Sequence, residues 1–442
     1  VQGSRQLKSS AGDLAMVDYL VDILHIFFIF VVLVMLTYAI RHFIFTFNRL
    51  YCRQKFYYQD IIDSDLPKVT VLIPMHNEEQ VATGVLDALL ACDYPADRLE
   101  IKPVNDHSED KTKEILEAYH IKHPNVVPLH REKDDQTRGK PAALNDAMAE
   151  ATGDIIIVFD ADYLPGKGLI KVLATAFADP EVGAVMGRVT PVNTKVNLMT
   201  RLLDLERSGG YQVDQQARYN LDLLPQYGGT VGGYRKALLL STGGFNTKIL
   251  AEDTELTYRF MTNGWKIAYA NGAECYEEAP EDWGVRARQV NRWARGHNEV
   301  MFHYMFKLLR SRKITFSQKL DGFMLLTIYM MPVILILGIV DSLLLFFLGR
   351  MDIMTGWWII LFVGAYNTFG NFAPFFQIGT AVVLDGSKDR AKLLPYLSLN
   401  FYFYMWYISK GFVEAIVDII TRRNAEWKKT ERYRKENVGE KL

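Results

Sequence analysis

The chain has 442 residues, with 50 Lys and Arg against 51 Asp and Glu and a formal net charge of −1. That balance argues against nucleic acid as a partner, and the length holds one soluble domain plus several membrane spans. Cys52, Cys92 and Cys275 lie far apart with no C-x-x-C pair, which argues against a disulfide framework or structural zinc and fits a reducing compartment.

Valine stands first, so residues 1–18 are read as a tag remnant or a disordered N-terminus and left out of the fold. Tyr19 to Ile40 is almost wholly apolar, broken by Asp22 and His25, and is followed by Arg41-His42. Roughly 20 such residues cross the hydrocarbon core, so a membrane helix is predicted over 19–47. A signal peptide is the competing reading, but its basic residues would precede the apolar run. Arg41, Arg49, Arg53 and Lys55 assign the C-terminal end of this helix to the cytoplasm.

Residues 66–300 alternate short β-rich runs with helical patterns. Strands are predicted at Val69–Ile73, Leu99–Val104, Asn125–His130 and Asp154–Phe159, and helices at Glu79–Ala91, Ser108–His120 and Pro141–Ala151. Strand and helix in turn predict a mostly parallel sheet with helices on both faces, which binds ligands at the carboxyl ends of its strands.

Beyond Gly296 the composition changes. Residues 301–322 mix apolar side chains with Lys307, Arg310, Arg312, Lys313 and Lys319, the pattern of an amphipathic helix in the membrane interface. Within 323–420 follow three apolar stretches: Phe323 to Leu348, Trp357 to Leu384 and Leu394 to Ile420. The basic tail, 421–442, is predicted cytoplasmic. Three simple crossings would leave it outside. A re-entrant middle stretch, broken around Asn367, Gly370, Asn371 and Pro374, resolves the conflict and is the preferred reading. The alternative lays the Tyr-rich last stretch, with Lys410, partly in the interface.

Several acidic clusters carry the chemistry. Asp160-Ala161-Asp162 follows a buried strand, where two carboxylates suit a hard divalent cation, Mg2+ or Mn2+, that in turn holds a diphosphate; a turn or helix cap is the plainer reading of D-x-D. Asp106 ends another strand and can accept hydrogen bonds from a nucleobase or ribose, while Ser108 and Glu109 read as a helix start. Lys140, after Arg138-Gly139, can meet phosphate oxygens or stand solvated. Glu252 and Asp253 open a helical pattern; either is a cap or a general base, with Asp253 favoured. Gln289, Arg292 and Trp293 stand at i, i+3 and i+4, hence on one helix face. Arg292 can offer charge to a leaving diphosphate, and Trp293 can stack on a sugar ring or anchor in the interface.

Strand-N-D-x-S-x-D, then D-A-D, then E-D, then Q-x-x-R-W before apolar helices resembles the family 2 inverting glycosyltransferases of GT-A fold. The likeness is strongest to the processive membrane synthases of the cellulose, chitin and hyaluronan type, and covers 67 to 300 in motif order. The resemblance implies that Asp106 contacts the uridine of a UDP-sugar and that Asp160 and Asp162 hold the diphosphate metal. It makes Asp253 the base that deprotonates the acceptor hydroxyl, and brackets diphosphate and acceptor with Gln289, Arg292, Trp293 and Glu252. Glu78, in Pro74–Glu78, falls in the nucleotide-binding loop, and Asp160 and Lys140 are assigned to nucleotide binding with it, although His76 stands where the family often has tyrosine. Gly228–Arg235 resembles the acceptor-side segment, and Trp427–Arg432 distantly resembles a gating loop. Val290 departs from the Arg of cellulose synthases and the Gln of chitin and hyaluronan synthases.

The expectation is therefore a multi-pass plasma (inner) membrane enzyme with a cytoplasmic GT-A domain, using UDP-glucose first among UDP-sugars to extend a polysaccharide. Its expected partners are the UDP-sugar donor, the growing polysaccharide acceptor, membrane lipids, and accessory export subunits or a second copy. Transfer of one sugar to a lipid is the enzymatic alternative; a transporter or scaffold with a degenerate nucleotide-binding domain is the alternative from another class.

Overall fold

The computed structural model describes residues 2–55, 66–131, 139–351 and 370–421, with 357, 361, 363 and 364, and for 2–15 the backbone alone. Eight strands are present: β1 (Val69–Met75), β2 (Leu99–Asp106), β3 (Leu129–Arg131), β4 (Ile155–Val158), β5 (Leu164–Pro165), β6 (Val182–Pro191), β7 (Gly232–Arg235) and β8 (Lys266–Glu277). They form one sheet in the order β3-β2-β1-β4-β7-β6-β8-β5. Successive side chains of a strand point to opposite faces, and here both faces are covered. Val71, Ile73, Ile155 and Ile157 enter one core, while Leu72, Ile156 and Val158 enter the other. Burying each such side chain contributes about 1.5–3 kcal/mol.

The sheet is more mixed than the alternation predicts. β3, β2, β1 and β4 are mutually parallel, as expected. β7 returns antiparallel between β4 and β6, and β5 is antiparallel to β8, while β6 and β8 are parallel. A four-residue strand such as β7 carries too little pattern to reveal its direction.

Around the sheet lie α2 (Ala82–Leu90), α3 (Thr112–Lys122), α4 (Lys140–Glu150), α5 (Leu169–Thr175), α6 (Leu198–Ser208), α7 (Gln216–Asn220), α8 (Lys236–Ser241) and α9 (Glu252–Thr262). A π-helical turn, Gly209–Gln215, joins α6 to α7. Two helices start later than predicted, for one shared reason. The backbone N–H groups of Asn77, Glu78 and Glu79 donate to Ser108 Oγ (2.9 Å), Thr112 Oγ1 (2.9 Å) and Asp110 Oδ2 (3.0 Å). The loops after β1 and β2 thus bond to each other, and neither is free to wind into a helix. Asp110, rather than Ser108, meets the first turn of α3, accepting from Thr112 N at 2.9 Å.

Helix α1 runs from Gln2 to Tyr51, so the segment read as tag or disorder continues the same helical backbone. After the sheet come α10 (Trp283–Arg310), α11 (Phe316–Leu326) and α12 (Met331–Phe347), then α13 (Ala373–Leu384) and α14 (Leu397–Thr421). The 301–322 stretch is not one interface helix. It is the end of α10, a turn, and the start of α11; Met301, Tyr304 and Leu308 pack into the second core, while Phe302, Phe306 and Phe316 are exposed. Met16–Tyr51 and Phe316–Phe347 are long and apolar enough to cross a membrane.

The last two helices are bound to the sheet domain. Asp385, just past α13, accepts from Arg188 (2.7 Å), Gln212 (2.6 Å), Arg390 (3.0 Å) and Ser208. Helix α14 lies along α10, where Arg295 pairs with Asp418 and a Cβ on Gly411 would sit 2.7 Å from the Asn291 carbonyl, and it reaches α6, where Asn400 donates to Glu206 (2.6 Å). Asn367, Arg138 and the tail with Trp427–Arg432 lie outside the described residues.

Candidate active site

Because β1, β2 and β4 run parallel, their carboxyl ends share one edge. Asp106 ends β2 there, but its carboxylate is already engaged. Oδ1 accepts from Arg131 Nη1 at 2.6 Å and contacts His107 Nδ1 at 2.7 Å, and Oδ2 accepts from Gly139 N at 3.3 Å. Arg131, at the end of β3, also reaches Asp146 at 2.8 Å. Glu78 is buried beside this edge, its backbone tied to Thr112.

Asp160 follows β4. Its backbone N–H donates to Thr230 Oγ1 at 3.0 Å, and its Oδ1 accepts from Lys140 Nζ at 2.7 Å. The same ammonium donates to the Gly229 carbonyl at 2.7 Å. Lys140 is thus not a solvated surface group; it bridges the D-x-D carboxylate and the loop before β7. Asp162 is buried two residues on.

Glu252 and Asp253 form the first turn of α9, where the helix dipole favours negative charge. Asp253 Oδ1 accepts from Thr254 N at 2.7 Å. Across from it stands Gly229, at φ +83°, where a Cβ would lie 2.9 Å from Asp253 Oδ2. Burial pushes the Glu252 carboxyl up to about 7, with Asp253 adding to the rise and Lys140 opposing it. Burial also raises Asp253, against the Thr254 N–H, Lys140 and Arg292. Two carboxyls so placed titrate as a pair.

Helix α10 brings the third wall. Arg292 makes no hydrogen bond to a described residue, yet it lies in the field of Glu252, Asp160 and Asp253, which resist the lowering that burial imposes on it. Lys140 feels the same three acids. Asp160, Glu252, Asp253, Lys140 and Arg292 therefore form one cluster, drawn from segments more than 150 residues apart in sequence. Trp293 stands beside two guanidiniums: those of Arg286 and Arg207 lie 4.9 Å and 5.6 Å from its ring centre. Arg286 donates to Gln289 Oε1 at 2.7 Å and to the Tyr404 hydroxyl at 2.7 Å, with Glu206 at 3.5 Å. Arg207 meets Glu277 through Nε at 2.6 Å and Nη2 at 3.2 Å. Burial pushes the Glu206 carboxyl up; Arg286, Tyr404 and Asn400 pull it back.

Arg131, Arg207, Glu206, Glu277 and Tyr404 are additions that the sequence reading missed. Arg286 lies three residues before Gln289 on the same helix, but Arg207 and Glu277 have no local signature. A separate cleft lined by Thr152, Asp154, Arg235 and Lys236 opens at the start of β1 and β4, the edge opposite the acids.

Asp160 and Asp162 offer hard oxygen donors of the kind Mg2+ and Mn2+ take. Among the described residues no three His, Cys, Asp or Glu side chains form a metal cage. A cation here would rest on one or two carboxylates and complete its shell with phosphate oxygens, as such ions commonly do at phosphate sites. The residues fit that group.

Acids gathered at the carboxyl ends of a parallel half-sheet, facing a basic aromatic helix, define a nucleotide-sugar transferase of GT-A-like fold. The mannosyltransferase PcManGT from Pyrobaculum calidifontis, solved with GDP-Man and Mn2+, shares this fold with a TM-score of 0.62, at 21% identity, over 89% of this chain and 99% of that one. Residues 67–296 match the family described as glycosyltransferase like family 2. The probable glycosyltransferase YdaM of Bacillus subtilis (strain 168) is 32% identical over 394 residues, 85% of this chain and 89% of that protein. A beta-monoglucosyldiacylglycerol synthase of Synechocystis sp. (strain ATCC 27184 / PCC 6803 / Kazusa) is 30% identical over 60% of this chain, which spans only 55% of that synthase. The chain belongs to the family 2-like glycosyltransferases.

Proposed function

We propose that this enzyme transfers sugar with inversion from a UDP-sugar, UDP-glucose first, to an acceptor hydroxyl at the cytoplasmic face of the membrane, extending a β-linked polysaccharide. The observation that carries the reading is the half-buried Asp253 carboxylate, set opposite Gly229 in the field of Lys140 and Arg292. Burial makes it a stronger base than an ordinary aspartate, suited to take the acceptor proton as that oxygen attacks the anomeric carbon. Arg292, committed to no hydrogen bond with a described residue, is aimed at charge developing on the leaving diphosphate.

Asp160 and Asp162 would hold Mg2+ or Mn2+, which when bound supplies positive charge to that diphosphate. Asp106, clamped by Arg131, and Glu78 are proposed to bound the nucleoside part. In membrane terms, α1 and the Phe316–Phe347 stretch are proposed to cross, with α14 lying along α10.

Asp253→Asn tests the chemistry: transfer should fall about 10²–10⁴-fold while UDP binding persists. Retained transfer removes Asp253 from the mechanism. Product length from radiolabelled UDP-sugars tests polymerisation. The likeness to a monoglucosyldiacylglycerol synthase favours a second reading, one sugar added to a lipid, and a single-sugar lipid product would establish it over the first.

A further inference from the structure

The acceptor wall around Trp293 holds two guanidiniums, and both are spoken for. Arg207 makes a two-point contact with Glu277, at 2.6 and 3.2 Å, and Glu277 also accepts the Tyr163 hydroxyl at 2.7 Å. Arg286 gives its nitrogens to Gln289 and Tyr404, with Glu206 at 3.5 Å. Glu206 is completed by Tyr404 (2.6 Å) and by Asn400 (2.6 Å), both from α14. Trp293 follows Arg292 on α10, so this pair of guanidiniums stands beside the residue that faces the acid cluster. Arg292 differs: it faces the acids with no hydrogen bond to a described residue.

We infer that this wall admits an uncharged, hydroxyl-bearing acceptor head group and rejects a phosphate-bearing one, because each guanidinium beside Trp293 is already neutralised by its own carboxylate. The inference rests on the transferase reading and names its acceptor class. A phosphate is recognised by a free guanidinium fork. To offer one here, Arg207 or Arg286 must leave a buried carboxylate uncompensated, which is strongly unfavourable. A sugar ring or glycerol hydroxyl needs no such exchange and finds donors and acceptors in place.

The test follows nucleotide release by the full-length enzyme in nanodiscs while hexyl glucoside or hexyl phosphate is titrated in. The glucoside should alter release at a concentration about tenfold or more below that of the phosphate. Glu206→Gln, or Glu277→Gln should the first variant fail to fold, frees a guanidinium and should narrow that ratio. Three results overturn the inference: a phosphate effect as strong as the glucoside's in the unaltered enzyme, no glucoside effect, or an unchanged ratio in a folded variant. Absence of nucleotide release from every UDP- and GDP-sugar overturns the transferase reading itself, which keeps the two failures apart.

Discussion

Gly229→Ala perturbs the proposed base through a single methyl group. At φ +83° an alanine is strained, by about 1–2 kcal/mol, which lowers the melting temperature by about 2–4 °C per kcal/mol in a domain of this size. The new Cβ would also lie 2.9 Å from Asp253 Oδ2, so that carboxylate must retreat by about half an ångström to reach ordinary contact. A misplacement of about 1 Å at a reacting group costs on the order of 10²-fold, so a loss of about tenfold in kcat is expected. Gly243→Ala supplies the comparison, because Gly243 has φ +99° but its nearest neighbour, Arg259 Nη1, is 3.9 Å away. Thermal melts and steady-state kinetics on both variants should give similar losses of stability, with a fall in kcat for Gly229→Ala alone. Unchanged kcat in a destabilised Gly229→Ala enzyme would refute the placement of Asp253 at the reacting centre.

Two further outcomes concern charge and metal. The base acts when deprotonated, and burial raises Glu252 and Asp253, so kcat at saturating donor should climb with pH on a limb above the ordinary carboxylate range. Lys140 lowers both carboxyls, so Lys140→Met should move that limb to higher pH; a limb that stays put or moves down contradicts the coupling. Asp162→Asn should weaken Mn2+ binding in the presence of UDP at least about tenfold by calorimetry, and unaltered affinity would take Asp162 out of the metal site.

Legibility in the sequence tracked how local each signal was. β1 and β4 are built mostly from β-branched and aliphatic residues, while β2 sets Leu99, Ile101 and Val104 among Glu100, Lys102 and Pro103, and the carboxyl-end acids, Asp106 and Asp160, follow from the alternation of strand and helix. The antiparallel insertion of β7 was hidden because Gly232–Arg235 has almost no side-chain pattern. Gln289, Arg292 and Trp293 shared a helix face, as i, i+3, i+4 spacing requires, but nothing local revealed that Arg207, over 80 residues earlier, would come to lie over Trp293. Lys140 was ambiguous for the same reason: its two acceptors, Asp160 and Gly229, come from distant segments. The late starts of α2 and α3 came from side chains of one loop capturing the backbone of another, a competition that helical periodicity cannot register.

Helix α10 runs unbroken from Trp283 to Arg310, whereas the family match stops at residue 296, in its middle. The rod carries Arg292 and Trp293 in its first half, and its second half packs Met301, Tyr304 and Leu308 into the second core, while α14 runs alongside. A soluble fragment cut at 296 would sever this lever and strip the α14 groups, Asn400 and Tyr404, that orient Glu206 and Arg286. Biochemists seeking a tractable piece of this enzyme should therefore keep α14 and solubilise the whole chain, because the boundary drawn by homology passes through a single mechanical part.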